Sequence, residues 1–155
     1  MTQPTAKPNT PTPPDLSPHS PAFIILKRAS VLGLVDAEHL KPEIDRKARD
    51  QTVPLLLQLG WLKRLDTAGH LRADRLGRAP DTFTLTEVGA AEARKLGFGH
   101  AHAYHQTRRA NQAVDVLKLD VRRLAEQAHL RVDTERQILR EPRIVQPDTT
   151  LIWPD

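Results

Sequence analysis

The amino-acid sequence predicts an α+β fold, and three observations lead to it. Apolar residues recur at helical spacing in three short segments between residues 22 and 60. Two segments of alternating residues, 61–67 and 81–86, have the period of β-strands. A longer helical repeat covers residues 105–130. A chain of 155 residues has room for one ordinary domain with an appendage.

The N-terminal residues 1–21 are predicted to form a disordered tail. They contain seven of the thirteen prolines, with Thr, Asn and Ser between them. Proline removes amide donors and favours extended, hydrated backbone, so this segment is not expected to contribute to a core. A role as a proline-rich ligand is the less favoured alternative.

Two helices are predicted directly after this tail. The first covers AFIILKRASVLGLV, with Ser20 as its cap and Pro21 in its first turn. The second covers DAEHLKPEI, where Asp36 is placed to cap the helix and Pro42 to end it. The second helix is therefore expected to be short.

A third helix is predicted within EIDRKARDQTVPLLLQLG and ends near Gly60, a residue that readily adopts positive φ. Pro54 lies inside this segment, where proline deletes one backbone hydrogen bond and clashes with the preceding turn. We therefore expect either a kink near Asp50 or a new helix that starts there, with Asp50 as its cap and Pro54 in its first turn.

The strands WLKRLDT and DTFTLT flank the basic loop AGHLRADRLGRAP, and they predict a hairpin after the third helix. Three helices followed by a hairpin is the order of a winged helix-turn-helix, which we assign to residues 22–98. A closing helix, LTEVGAAEARKLG, is expected to have Thr86 as its cap and Gly97 as its terminator. Gly89 is expected to let this helix approach the core closely.

Residues 99–155 are predicted to be a long helix plus a short terminal β-hairpin. Six apolar residues of the helix are spaced alternately four and three apart: Ala110, Val114, Leu117, Val121, Leu124 and Ala128. This apolar seam either packs within the chain or joins two copies in a homodimer through residues 106–129. The segments RVDTERQIL and TTLIW are expected to pair around a turn at 142–147.

The charge of the chain predicts double-stranded DNA as the partner. Its formal net charge is +4, arginine outnumbers lysine by 16 to 7, and residues 41–80 hold nine Lys or Arg against five Asp or Glu. In a winged helix the third helix reads base edges and the hairpin contacts the backbone or the minor groove. The expected contacts are therefore Arg46, Lys47, Arg49, Gln51, Thr52, Lys63, Arg64, Arg72, Arg75 and Arg78. A protein–protein adaptor that uses the same module is the alternative.

Other kinds of chemistry are not expected. The chain has no cysteine, and His100, His102 and His105 do not share a helix face or a zinc-binding spacing, so neither a metal nor a cofactor is predicted. No apolar run is long enough for a membrane span, and the N-terminus lacks a secretory signal. We expect a cytoplasmic protein that is not an enzyme.

The helix YHQTRRANQAVDVLKLDVRRLAEQA and the segments DTERQIL and QPDTTLIW, taken with the winged-helix portion, resemble the replication-relaxation family of bacterial plasmids and mobile elements. The similarity spans roughly residues 22–153. The matching positions are His105, Asn111, Asp115, Glu135, Arg136, Pro147 and Asp148. The resemblance implies a DNA-associated role in the replication or mobilisation of an extrachromosomal element.

The same resemblance extends to a restriction-endonuclease-like arrangement, in which carboxylates hold a divalent cation. Glu135 and Asp148 would be the ligands, but no acidic-x-lysine element follows Asp148. Because phosphodiester hydrolysis by this route needs the further ligand and the lysine, a nuclease remnant is the least favoured alternative and no catalytic residue is assigned.

Overall fold

The computed structural model describes residues 11–65, 81–134 and 149–152. Within them lie a three-stranded antiparallel sheet, a two-stranded sheet and five helices. The α+β class is therefore confirmed. The elements in chain order are α1 (Pro21–Leu32), β1 (Leu34–Asp36), α2 (Ala37–Leu40), α3 (Arg46–Gln58), β2 (Leu62–Arg64), β3 (Thr82–Leu85), α4 (Glu87–Lys95), α5 (Arg109–Gln127), β4 (Arg131–Thr134) and β5 (Thr149–Ile152).

Helix α1 begins as the sequence predicts and ends earlier. The Ser20 hydroxyl accepts a hydrogen bond from the Phe23 amide, and Pro21 occupies the first turn. The prediction that the helix continues through Val35 was wrong. It stops at Leu32 because Gly33 adopts φ 81°, and Leu34–Asp36 form strand β1. All three residues of β1 are buried, so no polar alternation marks them as a strand.

Helix α2 confirms the predicted cap. The Asp36 carboxylate accepts a hydrogen bond of 2.7 Å from the His39 amide, and the helix spans only four residues. The chain then turns through residues 41–45 into α3.

Helix α3 is one continuous helix of 13 residues with Pro54 inside it. The expected new start at Asp50 was wrong, because the cap is Asp45, whose carboxylate accepts from the Ala48 amide at 2.7 Å. The alternative, a kink near Asp50, stays a prediction. Gly60 has φ 72°, and the Trp61 amide donates to the Leu56 carbonyl at 3.0 Å, so the helix ends in a Schellman motif as expected at Gly60.

The sheet has the order β1-β3-β2, with both pairs antiparallel. Strand β3 lies in the centre, and its Phe83 pairs with Val35 on one side and Arg64 on the other. The predicted strands at 61–67 and 81–86 are confirmed in shortened form. Neighbouring β2 and β3 form an antiparallel pair whose connection, residues 66–80, lies outside the described residues.

Helix α4 packs against the end of this sheet through a glycine. The Thr86 hydroxyl caps the helix by accepting from the Gly89 amide at 3.1 Å, as predicted. A Cβ atom on Gly89 would lie 2.0 Å from the Trp61 carbonyl oxygen, so only glycine fits this contact. Gly97 follows the helix with φ 99°, which agrees with its predicted role as terminator.

The main core lies between α1, the sheet, α3 and α4, and Ile25, Leu26, Leu56 and Leu85 are almost completely buried in it. Leu16, inside the segment predicted as a disordered tail, is partly buried against this core. Residues 1–10 lie outside the described residues. The disorder of the tail therefore stays a prediction.

Helix α5 leaves the predicted apolar seam exposed. Gln112, Val116, Leu119 and Ala125 are buried, whereas Val114, Leu117, Val121 and Leu124 are 50%, 60%, 40% and 57% exposed. The alternative in which the apolar seam packs within the chain was therefore wrong. Strands β4 and β5 pair after the helix, as expected, and their predicted turn at 142–147 lies outside the described residues.

A buried ionic cluster fastens α5 to the rest of the chain. The Arg28 guanidinium of α1 is 9% exposed, and its Nη1 donates to Glu126 of α5 at 2.6 Å. Arg28 also pairs with Glu43, and its Nη1 lies 3.1 Å from Nε2 of the buried His39. The cluster therefore joins α1, α2, the turn before α3 and α5.

None of the helices in the described part of the chain is both long and apolar enough to cross a membrane.

Candidate nucleic-acid interface

The outward face of α3 carries only part of the predicted set. Arg46, Lys47 and Gln51 are exposed, as expected for residues that reach a partner. Arg49 and Thr52, which were predicted to be exposed, are half-buried. Arg49 lies towards α2, where its Nη1 donates to the Ala37 carbonyl at 3.1 Å. One donor of this guanidinium therefore holds α3 to α2.

A groove of about 590 Å³ lies between α3 and the β2–β3 pair. Three of the predicted arginines line it, namely Arg46, Arg49 and Arg64. Its floor is apolar, and it is formed by Leu40, Val53, Pro54, Leu57 and Phe83. The fold thus brings basic side chains from two elements to the edges of one concave surface.

Lys41, Asp50 and Asp81 also line the groove and were not among the predicted contacts. With the three arginines they make four cations and two anions around it, which leaves a local excess of two positive charges. Lys41 follows α2 directly, and Asp81 precedes β3. In the sequence, the only sign that Lys41 and Asp81 could reach this site is that they lie at the ends of α2 and β3. Their place beside α3 depends on the folded arrangement.

Two of the three arginines of the groove are held by exposed ion pairs. Arg46 Nε lies 3.6 Å from Asp50 Oδ2, with side chains 89% and 68% exposed. Arg64 Nη1 lies 3.3 Å from Asp81 Oδ2, and its guanidinium carbon lies 5.7 Å from the centre of the Phe83 ring. Exposed pairs of this kind contribute between zero and about 1 kcal/mol. A phosphate can therefore replace the carboxylate at little cost.

Lys63 does not belong to this groove. It is exposed on β2 next to Arg64, and neighbouring strand residues point to opposite faces of a sheet. Because Arg64 lines the groove, Lys63 faces away from it. The remaining predicted contacts, Arg72, Arg75 and Arg78, lie outside the described residues.

The three neighbouring histidines have contacts in different places. His100 Nε2 lies 3.2 Å from the Ser30 hydroxyl of α1, and His105 Nε2 lies 2.7 Å from Glu87 of α4. Within residues 11–65, 81–134 and 149–152, no group of three or more His, Asp or Glu side chains is placed to hold a metal ion. Glu135, Pro147 and Asp148, the positions of the nuclease hypothesis, lie outside those ranges.

A scan of the chain against protein-family models found no match, and searches of curated proteins and of solved structures found none either.

Proposed function

We propose that the chain binds double-stranded DNA as a winged helix-turn-helix protein. The observation that carries the proposal is the basic groove between α3 and the β2–β3 pair, with Arg46 and Arg64 on its edges. The topology supports it, because the order α1, β1, α2, α3, β2 and β3 and the sheet order β1-β3-β2 are compatible with a winged helix. The segment that joins β2 to β3 would then be the wing.

In this proposal α3 enters the major groove with its exposed face. Lys47 and Gln51 lie one helical turn apart on that face and belong to the side-chain types that read guanine and adenine edges. Arg46 and Arg64 lie to one side, where the phosphate backbone would run through the groove between helix and hairpin. Arg49 contributes through α2–α3 packing as well as charge, since it already binds the Ala37 carbonyl.

Binding of labelled duplexes, followed by fluorescence anisotropy at low salt, tests the proposal. Arg46→Ala and Arg64→Ala should weaken binding to every duplex several-fold, because phosphate contacts carry no sequence information. Gln51→Ala should instead cost about 1–3 kcal/mol on a site selected from a random library and have little effect on other sequences.

Lys27→Ala is the matched control. Lys27 is an exposed lysine on α1 that does not line the groove. Its removal changes the net charge by the same one unit as Lys47→Ala on the exposed face of α3, which should weaken binding. Measured at about 0.1 M salt, where a distant exposed charge is largely screened, Lys27→Ala should leave the affinity within about twofold of the wild type. Equal losses in Lys27→Ala and Lys47→Ala, or no binding to any duplex at low salt, would contradict the proposal.

The biological setting we propose is the replication or mobilisation of an extrachromosomal element, or transcriptional regulation. It rests on the resemblance of the sequence to replication-relaxation proteins together with a DNA-binding module. DNA retrieved with the chain from cells should then be enriched in plasmid or mobile-element sequence, or in promoters. Retrieval of unselected chromosomal DNA would contradict this setting without affecting DNA binding itself.

An adaptor that binds protein through the same groove is the second candidate, and the apolar floor of Val53, Leu57 and Phe83 favours it. Capture of partners from extract before and after nuclease treatment separates the two functions. A partner bridged by DNA is lost on treatment, whereas a direct protein partner stays bound.

A further inference from the structure

Helix α5 is apolar on two sides: Val116 and Leu119 are buried within the chain, and a second set of apolar residues faces outward. Val114, Leu117, Val121 and Leu124 form a continuous exposed stripe, and Ala110 and Ala128 extend it at both ends. On the opposite face, the charged side chains of Asp115, Arg122, Arg123 and Glu126 are only 12–26% exposed. Water favours the opposite distribution, so the apolar stripe is expected to be covered in the working form of the protein.

The helix cannot simply rotate to bury this stripe, because contacts at both ends fix its orientation. Near its start, Asp115 accepts from the Tyr104 hydroxyl at 2.7 Å, and Gln112 donates to the Gln106 carbonyl at 2.9 Å. Near its end, Glu126 accepts from the buried Arg28. Turning the helix would leave Arg28 without this partner, at a larger cost than the exposure of a few apolar side chains.

We propose that the stripe is a homodimer interface, in which α5 of one copy packs against α5 of a second copy as a parallel two-stranded coiled coil. The intervals between the stripe residues are four, three, four, three and four, which is the heptad repeat of such an interface. Valine occupies the first core position of each heptad and leucine the second. This choice favours two parallel strands.

Charge favours a second copy in the parallel direction over the antiparallel one. The flanking positions hold Ala113, Asp120 and Gln127 on one side and Asn111, Lys118 and Ala125 on the other. In a parallel pair, Lys118 lies beside Ala113 of the other copy and Asp120 lies beside the position of Ala125, which is already buried within its own chain, so no like charges meet. The antiparallel register that pairs all six stripe residues sets Lys118 beside Lys118 and Asp120 beside Asp120, which is repulsive.

The size of the stripe fits a reversible dimer. A helix of 19 residues is about 28 Å long, and two such helices in contact bury on the order of 1,000 Å² in total, which is close to the lower limit for a specific interface. We therefore expect a concentration-dependent dimer with a dissociation constant of roughly micromolar size. Because this interface lies on α5, it goes beyond DNA binding and is tested without DNA.

Sedimentation of the full chain over a range of concentrations is the first test, and the chain offers a closely matched control. Val114 on the stripe and Val88 on α4 are 50% and 53% exposed, and both lie in helices. Val114→Glu should weaken the dimer at least tenfold, whereas Val88→Glu should leave it unchanged. Far-UV circular dichroism checks that both variants keep their helices. A wild-type chain that stays monomeric at all concentrations, or equal effects of the two substitutions, would overturn the proposal.

Single cysteines test both the contact and its direction, because the natural chain has none. In the parallel pair, Leu124 meets Leu124 of the other copy, so Leu124→Cys should form a covalent dimer on mild oxidation. In the antiparallel register the two positions are about 15 Å apart along the axis, beyond the roughly 7 Å limit between Cα atoms of a disulfide. Cross-linking only in a mixture of Val114→Cys and Leu124→Cys chains would refute the parallel arrangement, and no cross-link in either sample would refute the interface.

Discussion

The Arg28 guanidinium shows how one buried charge determines the position of a whole helix. Burial by itself would lower its pKa, but hydrogen bonds and charge from Glu126 and Glu43 raise the pKa above its ordinary value. Arg28 therefore stays charged, and a buried charge needs its partners. Glu126 is the partner that α5 contributes.

Glu126 should make the protein sensitive to acid. Burial by itself would raise its pKa, but the nearby His39 imidazole, whose Nε2 lies 3.7 Å from the carboxylate, the hydrogen bonds and charge of Arg28, and the charge of Arg122 lower the pKa to about 2. Because the folded pKa lies below the unfolded value of about 4.3, the carboxylate stabilises the fold above the unfolded value and loses this effect as the pH falls towards 2. The loss is at most about 3 kcal/mol in the free energy of unfolding.

Glu126→Gln should therefore be less stable than the wild type at pH 7 and should show a flatter decline of stability between about pH 5 and pH 2. Urea unfolding at a series of pH values measures both effects. The control is Glu87→Gln on α4, whose side chain is 69% exposed, and it should follow the wild-type profile. Parallel pH profiles for Glu126→Gln and the wild type would contradict this account of the cluster.

At the scale of elements, α3 is notable because it continues through Pro54. Asp45 caps the helix at one end and Gly60 ends it at the other, so the helix is specified at both ends. Pro54 is exposed, and the Asp50 carbonyl that loses its usual donor belongs to an exposed residue that water can reach. The strong termini and the exposed site make the interior proline tolerable.

Pro54→Ala should stabilise the protein. Alanine restores the missing hydrogen bond and removes the ring clash, which raises the free energy of unfolding by up to about 3 kcal/mol. The greater flexibility of the unfolded chain offsets at most about 1 kcal/mol of this gain. The urea midpoint should rise with an unchanged m-value. Gln58→Ala, at another exposed position of α3, should change stability by less than about 0.5 kcal/mol. A lower midpoint for Pro54→Ala would mean that α3 is bent around the proline.

For the whole molecule, the distribution of charge matters more than the net value of +4. Nine Lys or Arg and five Asp or Glu fall within residues 41–80, so this one region accounts for the full excess. The acidic residues elsewhere balance the remaining basic ones. DNA would therefore be attracted to α3 and the β2–β3 pair, and to the residues between those strands in the sequence, rather than to the molecule as a whole.

The salt dependence of DNA binding tests this view. A plot of log affinity against log salt concentration should have a negative slope, and replacing Arg72, Arg75 and Arg78 together by alanine should reduce it by up to about three units, one for each lost phosphate contact. Lys27→Ala should leave the slope unchanged. Affinity that does not vary with salt in the wild type would exclude an electrostatic origin.

The sequence by itself determined the features that depend on neighbouring residues. Ser20, Asp36 and Thr86 each cap a helix through an amide three residues further along the chain, and Gly60 and Gly97 take the positive φ that ends one. These signals act within a single turn, so they can be read locally. The α+β class and the antiparallel β2–β3 pair follow from the same short-range patterns.

Tertiary structure decided what depends on distant partners. Strand β1 exists because β3, nearly fifty residues later, pairs with Leu34–Asp36, and the groove exists because α3 and the β2–β3 pair lie side by side. The face that α5 buries is set by Arg28 and Glu126, which are 98 residues apart. The heptad repeat identified an apolar seam, but it did not show whether the seam packs within the chain or against a second copy. The pairing of Glu126 with the buried Arg28 and the burial of Val116 and Leu119 hold this side of α5 against the chain, so the seam faces the solvent.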